Sequence, residues 1–469
     1  MANPECRRVH FVGIGGSGMS GVAELLVQMG CVVSGSDLQA SEATERLASL
    51  GARVYRGHAA EHVADAEMVV VSSAVRPANP EIREAARRQI PVIPRAEMLA
   101  ELMRRHSGIA VAGAHGKTTT SSMIALSLEY AGLDPTAVIG GRLAAFGSGA
   151  RLGRGKWMVA EADESDRSFL RLSPTIAVIT NIDSEHLEAY DGFDDLQHAF
   201  VDFANGVLPR GAVVLCADDP HVREIRPRVT RRVVTYGLDA DADFVAGDVV
   251  LDGLCSSCTV RRRLVEPRTA LAASSAMGRI ELSVPGRHNV QNALAAVAVG
   301  AEIGIPLDTM AQALRRFRGA DRRFQVIGQE QGVMVVDDYG HHPTEIRAVL
   351  AAARAQRPRR LIVVFQPHRY TRTRRLMNSF GDALVDADEV VLTDIYPAGE
   401  DPIAGVTIDT LALAIRAAGQ PEVHLMPSLA DLPAYVAARA RSGDMVVLLG
   451  AGSIGAWGPK LLAALRAPG

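Results

Sequence analysis

The stretch V-A-G-A-H-G-K-T-T-T, Val111 to Thr120, lies between an apolar run, IAV, and a helical pattern, TTSSMIALSLEYAG. It nearly spells the phosphate loop G-x-x-x-x-G-K-[ST]. Counting back from Gly116-Lys117-Thr118, the first glycine should fall at Val111; the nearest, Gly113, comes two residues late. The strand-then-helix setting still argues for a phosphate cradle, of a shorter cut. Backbone N–H groups of Gly113, Ala114, His115, Gly116 and Thr119 would face phosphate at a helix start, with Lys117 reaching a γ-phosphate and Thr118 a Mg²⁺ ion. Of 50 basic side chains only Lys117, Lys156 and Lys460 are lysine. Where lysine survives in so arginine-biased a chain, a compact ammonium is expected to be required.

Working outward, the same phrase recurs: an apolar run, a polar or glycine turn, a helical pattern. VHFVGIGGSGMSGVAELLVQMG opens it, and WMVAEADESD, IAVITNID, AVVLCADD, VMVVDDYGHHPTEI, LIVVFQPHRYTRT and MVVLLGAGSIG continue it. Short apolar runs between turns predict buried parallel strands, and their alternation with helices predicts doubly wound α/β domains. Ligands in such sheets bind beyond the carboxyl ends of the strands, where nearly every unusual polar cluster here falls. At 469 residues more than one core is expected. Boundaries near 104 and 320 divide the chain into three α/β domains, each on a mainly parallel sheet. Residues 1–104 would be Rossmann-like, 105–320 a P-loop-type ATPase and 321–469 again Rossmann-like, with a peripheral β excursion at 239–280.

A formal net charge of −3 disfavours nucleic-acid or membrane-surface binding. No apolar run reaches about 18 residues, so no membrane span is expected. The start, MANPECRRVHFVGIGG, lacks a secretory pattern. Five scattered cysteines read as reduced, and with the rest they predict a cytoplasmic protein. The pair Cys255 and Cys258 has metal-ligand spacing but no second pair.

G-I-G-G-S-G at 13–18 fits G-x-G-x-x-G after a strand, with Asp37 19 residues past Gly18. That pattern suits a nucleotide diphosphate at a helix start and an acid on a ribose hydroxyl. G-A-G-S-I-G at 450–455 also matches, but reads as a tight turn. WMVAEADESD places Glu161, Asp163, Glu164 and Asp166 at a strand end. IAVITNIDSEH places Asn181, Asp183, Glu185 and His186 at another. Glu161, the first acid after its run, suits Mg²⁺.

Read together, GIGGSGMSGVAELL, SGSD, VVSSAV, AHGKTTT, AEADESDRSFL, TNIDSEHLEAY, GRHNVQNALAA, DDYGHHPTE, QPHRYTRT, DIYPAGE and GAGSIG follow in order. In this the chain resembles the Mur ligases of peptidoglycan synthesis across all three segments, nearest to the branch that adds L-alanine. Their phosphate loop is the shortened G-x-x-G-K-T-T form. The resemblance implies that ATP phosphorylates the carboxylate of UDP-N-acetylmuramic acid, and that L-alanine's amine then displaces phosphate. It implies a UDP site at Gly15, Gly16, Ser17, Gly18, Asp37, His58, Ser72 and Ser73. Lys117, Thr118 and Glu161 would hold the γ-phosphate and a first Mg²⁺, and His186 a second. His288, Asn289 and Asn292 would contact adenine, and Arg323 and Asp338 phosphate and ribose. Asn181, Tyr339, His341, His368, Arg369 and Arg372 would line the substrate side, where guanidinium forks suit a carboxylate; the catalytic set would be Lys117, Glu161, His186 and Arg369. By themselves Arg369, Arg372, Arg374 and Arg375 also read as a solvated basic loop.

Three departures stand out. Ala114 replaces a frequent threonine, and Ser184-Glu185-His186 a commoner Asp-His pair. The absence of lysine between Lys156 and Lys460 rules out the carbamylated lysine of several related ligases. A monomer or homodimer is expected. Three alternatives stay open: a recycling ligase that joins a ready-made peptide to the same sugar nucleotide, a nicotinamide-dependent dehydrogenase and a non-catalytic nucleotide-binding regulator.

Overall fold

The computed structural model describes residues 8–72, 75–143, 146–185, 187–265 and 272–466. Its strands form three sheets, as the α/β reading expects. The first holds β1 (Arg8–Val12), β2 (Val32–Asp37), β3 (Arg53–Arg56), β4 (Met68–Val71) and β5 (Val92–Pro94) in the order β3-β2-β1-β4-β5. All its pairings are parallel. Four helices join these strands or follow them: α1 (Ser17–Gln28), α2 (Glu42–Ser49), α3 (Pro80–Arg87) and α4 (Arg95–Met103). The order reverses between β2-β1 and β4, so the crevice of a doubly wound sheet opens at the carboxyl end of β1.

The second sheet runs β15-β14-β13-β12-β11-β10-β6-β9-β7-β8. Its members are β6 (Ser107–Ala112), β7 (Thr136–Leu143), β8 (Ser148–Arg151), β9 (Trp157–Glu161), β10 (Ile176–Ile179), β11 (Ala212–Cys216) and β12 (Arg232–Gly237), then β13 (Phe244–Asp252), β14 (Cys255–Val265) and β15 (Ala272–Leu282). The centre, β11-β10-β6-β9-β7, is parallel. The last three strands form the excursion expected at 239–280. Cys255 is exposed and Cys258 buried, so they share no face of β14 and form no ligand pair. The third sheet holds β16 (Gln325–Glu330), β17 (Val333–Asp338), β18 (Leu361–Phe365), β19 (Glu389–Leu392), β20 (Val423–Leu425) and β21 (Met445–Leu449) in the order β16-β17-β21-β18-β19-β20. Only β16 there runs antiparallel.

The chain divides into two compact units. One joins Met1–Asp248 with Cys258–Ile280 and Gln291–Phe317; the other joins Val249–Ser257 and Glu281–Val290 with Arg318–Gly469. The first unit contains the whole first sheet and the parallel centre of the second, and one apolar core runs through both, from Phe11 and Val22 to Ala110 and Ile179. A buried carboxylate fastens them. Glu24 of α1, 4% exposed, accepts from Arg46 at 2.7 and 3.0 Å and from the Ser148 hydroxyl of β8 at 2.8 Å. Gln28, one turn on, accepts the Leu152 N–H at 2.9 Å. These bonds fix the glycine-turn helix against the hairpin of β7 and β8. Glu24→Gln turns an amide N–H toward donors it cannot accept, and should lower unfolding free energy by about 1–3 kcal/mol. The check is a lower urea midpoint at unchanged m-value.

Candidate active site

The quoted stretch forms the end of β6, a loop at 113–116, and the start of helix α5 (Lys117–Tyr130). Gly113 (φ +133°) and Gly116 (φ +82°) take backbone that other residues resist. A β-carbon at Gly113 would also collide with Thr180 Oγ1, and one at Gly116 would lie 2.8 Å from Asn292 Oδ1. The loop is held from β10: the Thr180 hydroxyl donates to the His115 carbonyl at 2.6 Å. Asn181 accepts the His115 N–H at 2.8 Å and donates back to its carbonyl at 2.9 Å. Asn181, expected on the substrate side, thus spends its amide on the loop. No side chain caps α5, so its first N–H groups suit an anion.

Lys117 Nζ donates to the Gly113 carbonyl at 2.6 Å and to both oxygens of Glu164 at 2.8 and 2.9 Å. Its side chain is 17% exposed and that of Glu164 2%. Burial works to deprotonate Lys117, but Glu164, Asp163 and Glu161 outweigh it, so the group is held above its ordinary value as an ammonium. Glu161, at the end of β9, accepts the Gly140 N–H at 2.7 Å. β-Carbons at Gly140 and Gly141 would lie 2.6 Å from Glu161 Oε2 and 3.1 Å from Thr118 Cγ2, so a glycine pair in β7 lets that strand run close beside the two metal candidates. His115 Nε2 lies 2.9 Å from Asp183. Thr119 is buried. His186 and Ser73 lie outside the described residues, as does the side chain of Ser17.

At the first sheet, Ser36 O accepts from Gly13 and Ile14 at 2.8 and 3.0 Å, and Asp37 accepts the Gly15 N–H at 2.9 Å. A β-carbon at Gly15 would lie 3.0 Å from that carboxylate. The N-cap of α1, Gly16, carries no side-chain cap. The Arg95 guanidinium packs against Gly18, within 2.9 Å of where its β-carbon would sit, and lies 3.5 Å from Asp163. Arg95 therefore links the glycine turn to the acidic strand end. It was missed because only tertiary contact reveals it. Ser72 follows β4, its carbonyl accepting from Val75 at 3.0 Å.

In the second unit, Asn289 donates to the Pro285 carbonyl at 2.7 Å. Asp338 accepts the Phe324 and Gly340 N–H groups at 2.7 and 2.6 Å, and burial pushes it up to about 6 against the pull of Arg323. Arg323 pairs with Glu345 at 3.2 Å and stacks over Tyr339 at 5.3 Å. His341 stands edge-on to Tyr339 and 5.7 Å from the His368 ring, which stacks on Tyr396. Arg372, 8% exposed, reaches His368 Nδ1 at 3.1 Å. The basic run therefore splits: Arg372 is buried, while Arg369, Arg374 and Arg375 are exposed. The second glycine pattern serves as a turn, with Gly450 and Gly452 carbonyls bonded by Arg322.

Three family models match the chain in order: "Mur ligase family, catalytic domain" at 8–107, "Mur ligase middle domain" at 111–300 and "Mur ligase, glutamate ligase domain" at 322–452. The chain belongs to the Mur ligase family. This Mur ligase is 55% identical over 459 residues to a UDP-N-acetylmuramate–L-alanine ligase of Anaeromyxobacter dehalogenans, covering 98% of each. Among solved structures it resembles a UDP-N-acetylmuramate–alanine ligase from Thermotoga maritima, with TM-score 0.82, 29% identity, and 98% and 99% of the two chains covered. A murein peptide ligase from Psychrobacter arcticus shares the fold, with TM-score 0.71, 24% identity and 99% of each chain covered.

One pH effect follows from the adenine candidates. Burial, helped by Arg323, lowers His288 from 6.5 to about 4. Between those values the unfolded chain binds a proton that the folded chain refuses, so stability falls as pH drops from 6.5 toward 4. Replacing His288 by Asn removes this contribution. The stability difference between wild type and H288N should shift toward the variant by roughly 1–3 kcal/mol from pH 7 to pH 4, read from urea curves.

Proposed function

We propose that this Mur ligase joins L-alanine to the carboxylate of UDP-N-acetylmuramic acid at the expense of ATP, as a cytoplasmic monomer or homodimer in peptidoglycan precursor synthesis. The observation that carries the reading is the full-length likeness to relatives of that name, 55% identical over 98% of the chain. Among the described residues no helix is long and apolar enough to cross a membrane. Residues 1–104 would hold the UDP-sugar, 105–320 ATP and 321–469 the amino acid.

In the first step the substrate carboxylate takes the γ-phosphoryl group, forming an O–P bond as the bond to ADP breaks. In the second, the alanine amine forms the C–N bond, loses a proton, and phosphate leaves. Both steps concentrate negative charge at one place, so the enzyme's task is positioning and electrostatic stabilisation. Lys117 supplies a fixed ammonium, and the loop N–H groups receive phosphate oxygens. Oxygen donors without a neighbouring β-carbon suit a hard cation. Mg²⁺ would be held by Thr118 and Glu161, where it would neutralise charge on the transferred phosphoryl group. Arg95, beside the N-terminus of α1, would face the diphosphate.

Release of ADP with UDP-N-acetylmuramic acid, screened across amino acids and a tripeptide, tests the reading. L-Alanine should be preferred; a preference for the tripeptide would assign the chain to the recycling reaction instead. Lys117→Ala and Glu161→Ala should each lower turnover by roughly 10²–10³-fold or more while UDP-sugar affinity, measured calorimetrically, stays within about twofold. Near-normal turnover in either variant would refute the site.

A further inference from the structure

A second polar cluster sits under the carboxyl end of the first sheet, unused by the phosphate chemistry. Its hub is Glu81 of α3, fully buried. The Ser36 hydroxyl donates to Glu81 Oε2 at 2.6 Å, and His62 Nδ1 lies 2.7 Å from Oε1. The Ala59 N–H reaches Oε1 at 3.4 Å. His58 Nδ1 lies 2.9 Å from Ser36 Oγ and 3.1 Å from Glu81 Oε2. Tyr55 stacks on the His62 ring at 4.1 Å. Burial works to raise Glu81, yet His10, Ser36 and His62 hold it down, to about 2, so it is a carboxylate.

Elimination places the proton on His58. A carboxylate only accepts. The Ser36 proton points at Glu81, so Ser36 Oγ also faces His58 as an acceptor. With acceptors on both sides, Nδ1 must carry the hydrogen; the tautomer this selects leaves its lone pair on Nε2. The His58 side chain is 17% exposed, while Glu81 is sealed.

The cluster is welded to the glycine turn. Ser36, whose hydroxyl binds Glu81, takes the Gly13 and Ile14 N–H groups on its carbonyl. Asp37 binds Gly15 through its side chain and the Gly57 N–H, at 2.7 Å, through its carbonyl. The turn after β1, Asp37 on β2 and His58 after β3 thus stand one strand apart in sequence across the sheet. A nucleotide laid diphosphate first along them would put its ribose at Asp37, and the UDP-sugar reading puts its base one strand further on, at His58. Uracil presents a donor, N3–H, where cytosine presents an acceptor.

We propose that Glu81 is a positioning residue: it holds His58 in the Nδ1–H tautomer, so that Nε2 accepts the uracil N3–H. This rests on the UDP-sugar reading above. Long-range ¹H–¹⁵N spectra of wild-type enzyme labelled with ¹⁵N-histidine, with His58 identified through H58Q, read the tautomer directly at pH 8. The expected result is a protonated Nδ1 and a bare Nε2. A proton on Nε2 overturns the proposal, whether or not any variant folds. In competition binding, wild type should prefer UDP over CDP by roughly tenfold, the worth of one well-placed hydrogen bond. Glu81→Gln should lose most of that preference and raise the KM for the UDP-sugar, with the KM for ATP and kcat within about twofold; Glu81→Asp, keeping the carboxylate, should recover part of it. Undiminished UDP preference in E81Q sinks the proposal alone. A wild-type enzyme that binds no UDP sinks the UDP-sugar reading and this proposal with it.

Discussion

An ammonium enclosed by its own loop and a buried carboxylate is the interaction on which the rest turns. Lys117 is pinned between the Gly113 carbonyl and Glu164, and that geometry exists only because Gly113 and Gly116 adopt backbone forbidden to bulkier residues. The shortened spacing follows. With the glycines three residues apart, Thr180 and Asn181 of the neighbouring strand end can reach the His115 backbone from one side. The loop is therefore preorganised by its own contacts, and any anion brought to Nζ would compete with Glu164 for the same charge. Removing one partner of so buried a pair is costly, which keeps the ammonium and its acids acting as one unit.

Parallel sheets explain why these groups meet at all. β6, β9 and β10 each end in a turn whose polar residues had to leave the apolar layer, and parallel pairing puts those ends on one edge of the second sheet, as pairing with β2 and β4 does for the end of β1 in the first. The loop at 113–116 and the two acidic segments are thus consequences of one sheet's topology, and the glycine turn of the same rule in the other. Within the first unit, Glu24 and Gln28 then lock the helix that carries the glycine turn to the hairpin beside Glu161. Arg95, against Gly18 at one end and Asp163 at the other, spans the same gap with a charge.

Sheets, loop and acidic ends were legible in the sequence because each is a local pattern: an apolar run of fixed length, a glycine pair, an acid after a strand. Arg95, Glu81 and Ser36 were not. Each owes its role to a partner far along the chain, Glu81 lying 45 residues from Ser36 and Arg95 68 from Asp163. No periodicity encodes such a meeting. Asp37 and Asn181 show the reverse limit. Sequence singled them out correctly as polar groups at strand ends, but what they hold in the folded chain is backbone, the Gly15 N–H and the His115 peptide. The arginine run likewise needed the fold, since burial alone separates Arg372 from Arg374 and Arg375.

Arg369 carries this logic into the third sheet. Its backbone lies at φ +69°, ψ +138°, a region that costs a non-glycine residue about 1–3 kcal/mol. Surrounding bonds enforce it: the Arg369 N–H is held by the Tyr396 carbonyl at 2.8 Å, and its own carbonyl accepts from Thr373 twice. Glycine would relieve the strain at no cost to those bonds, all of which are made by the backbone of residue 369. What glycine lacks is the guanidinium. A strained arginine at the start of a helix, beside His368 and the buried Arg372, makes sense where an exposed fork of N–H donors has an anion to meet, as the carboxylate of an amino acid or an acyl phosphate would provide.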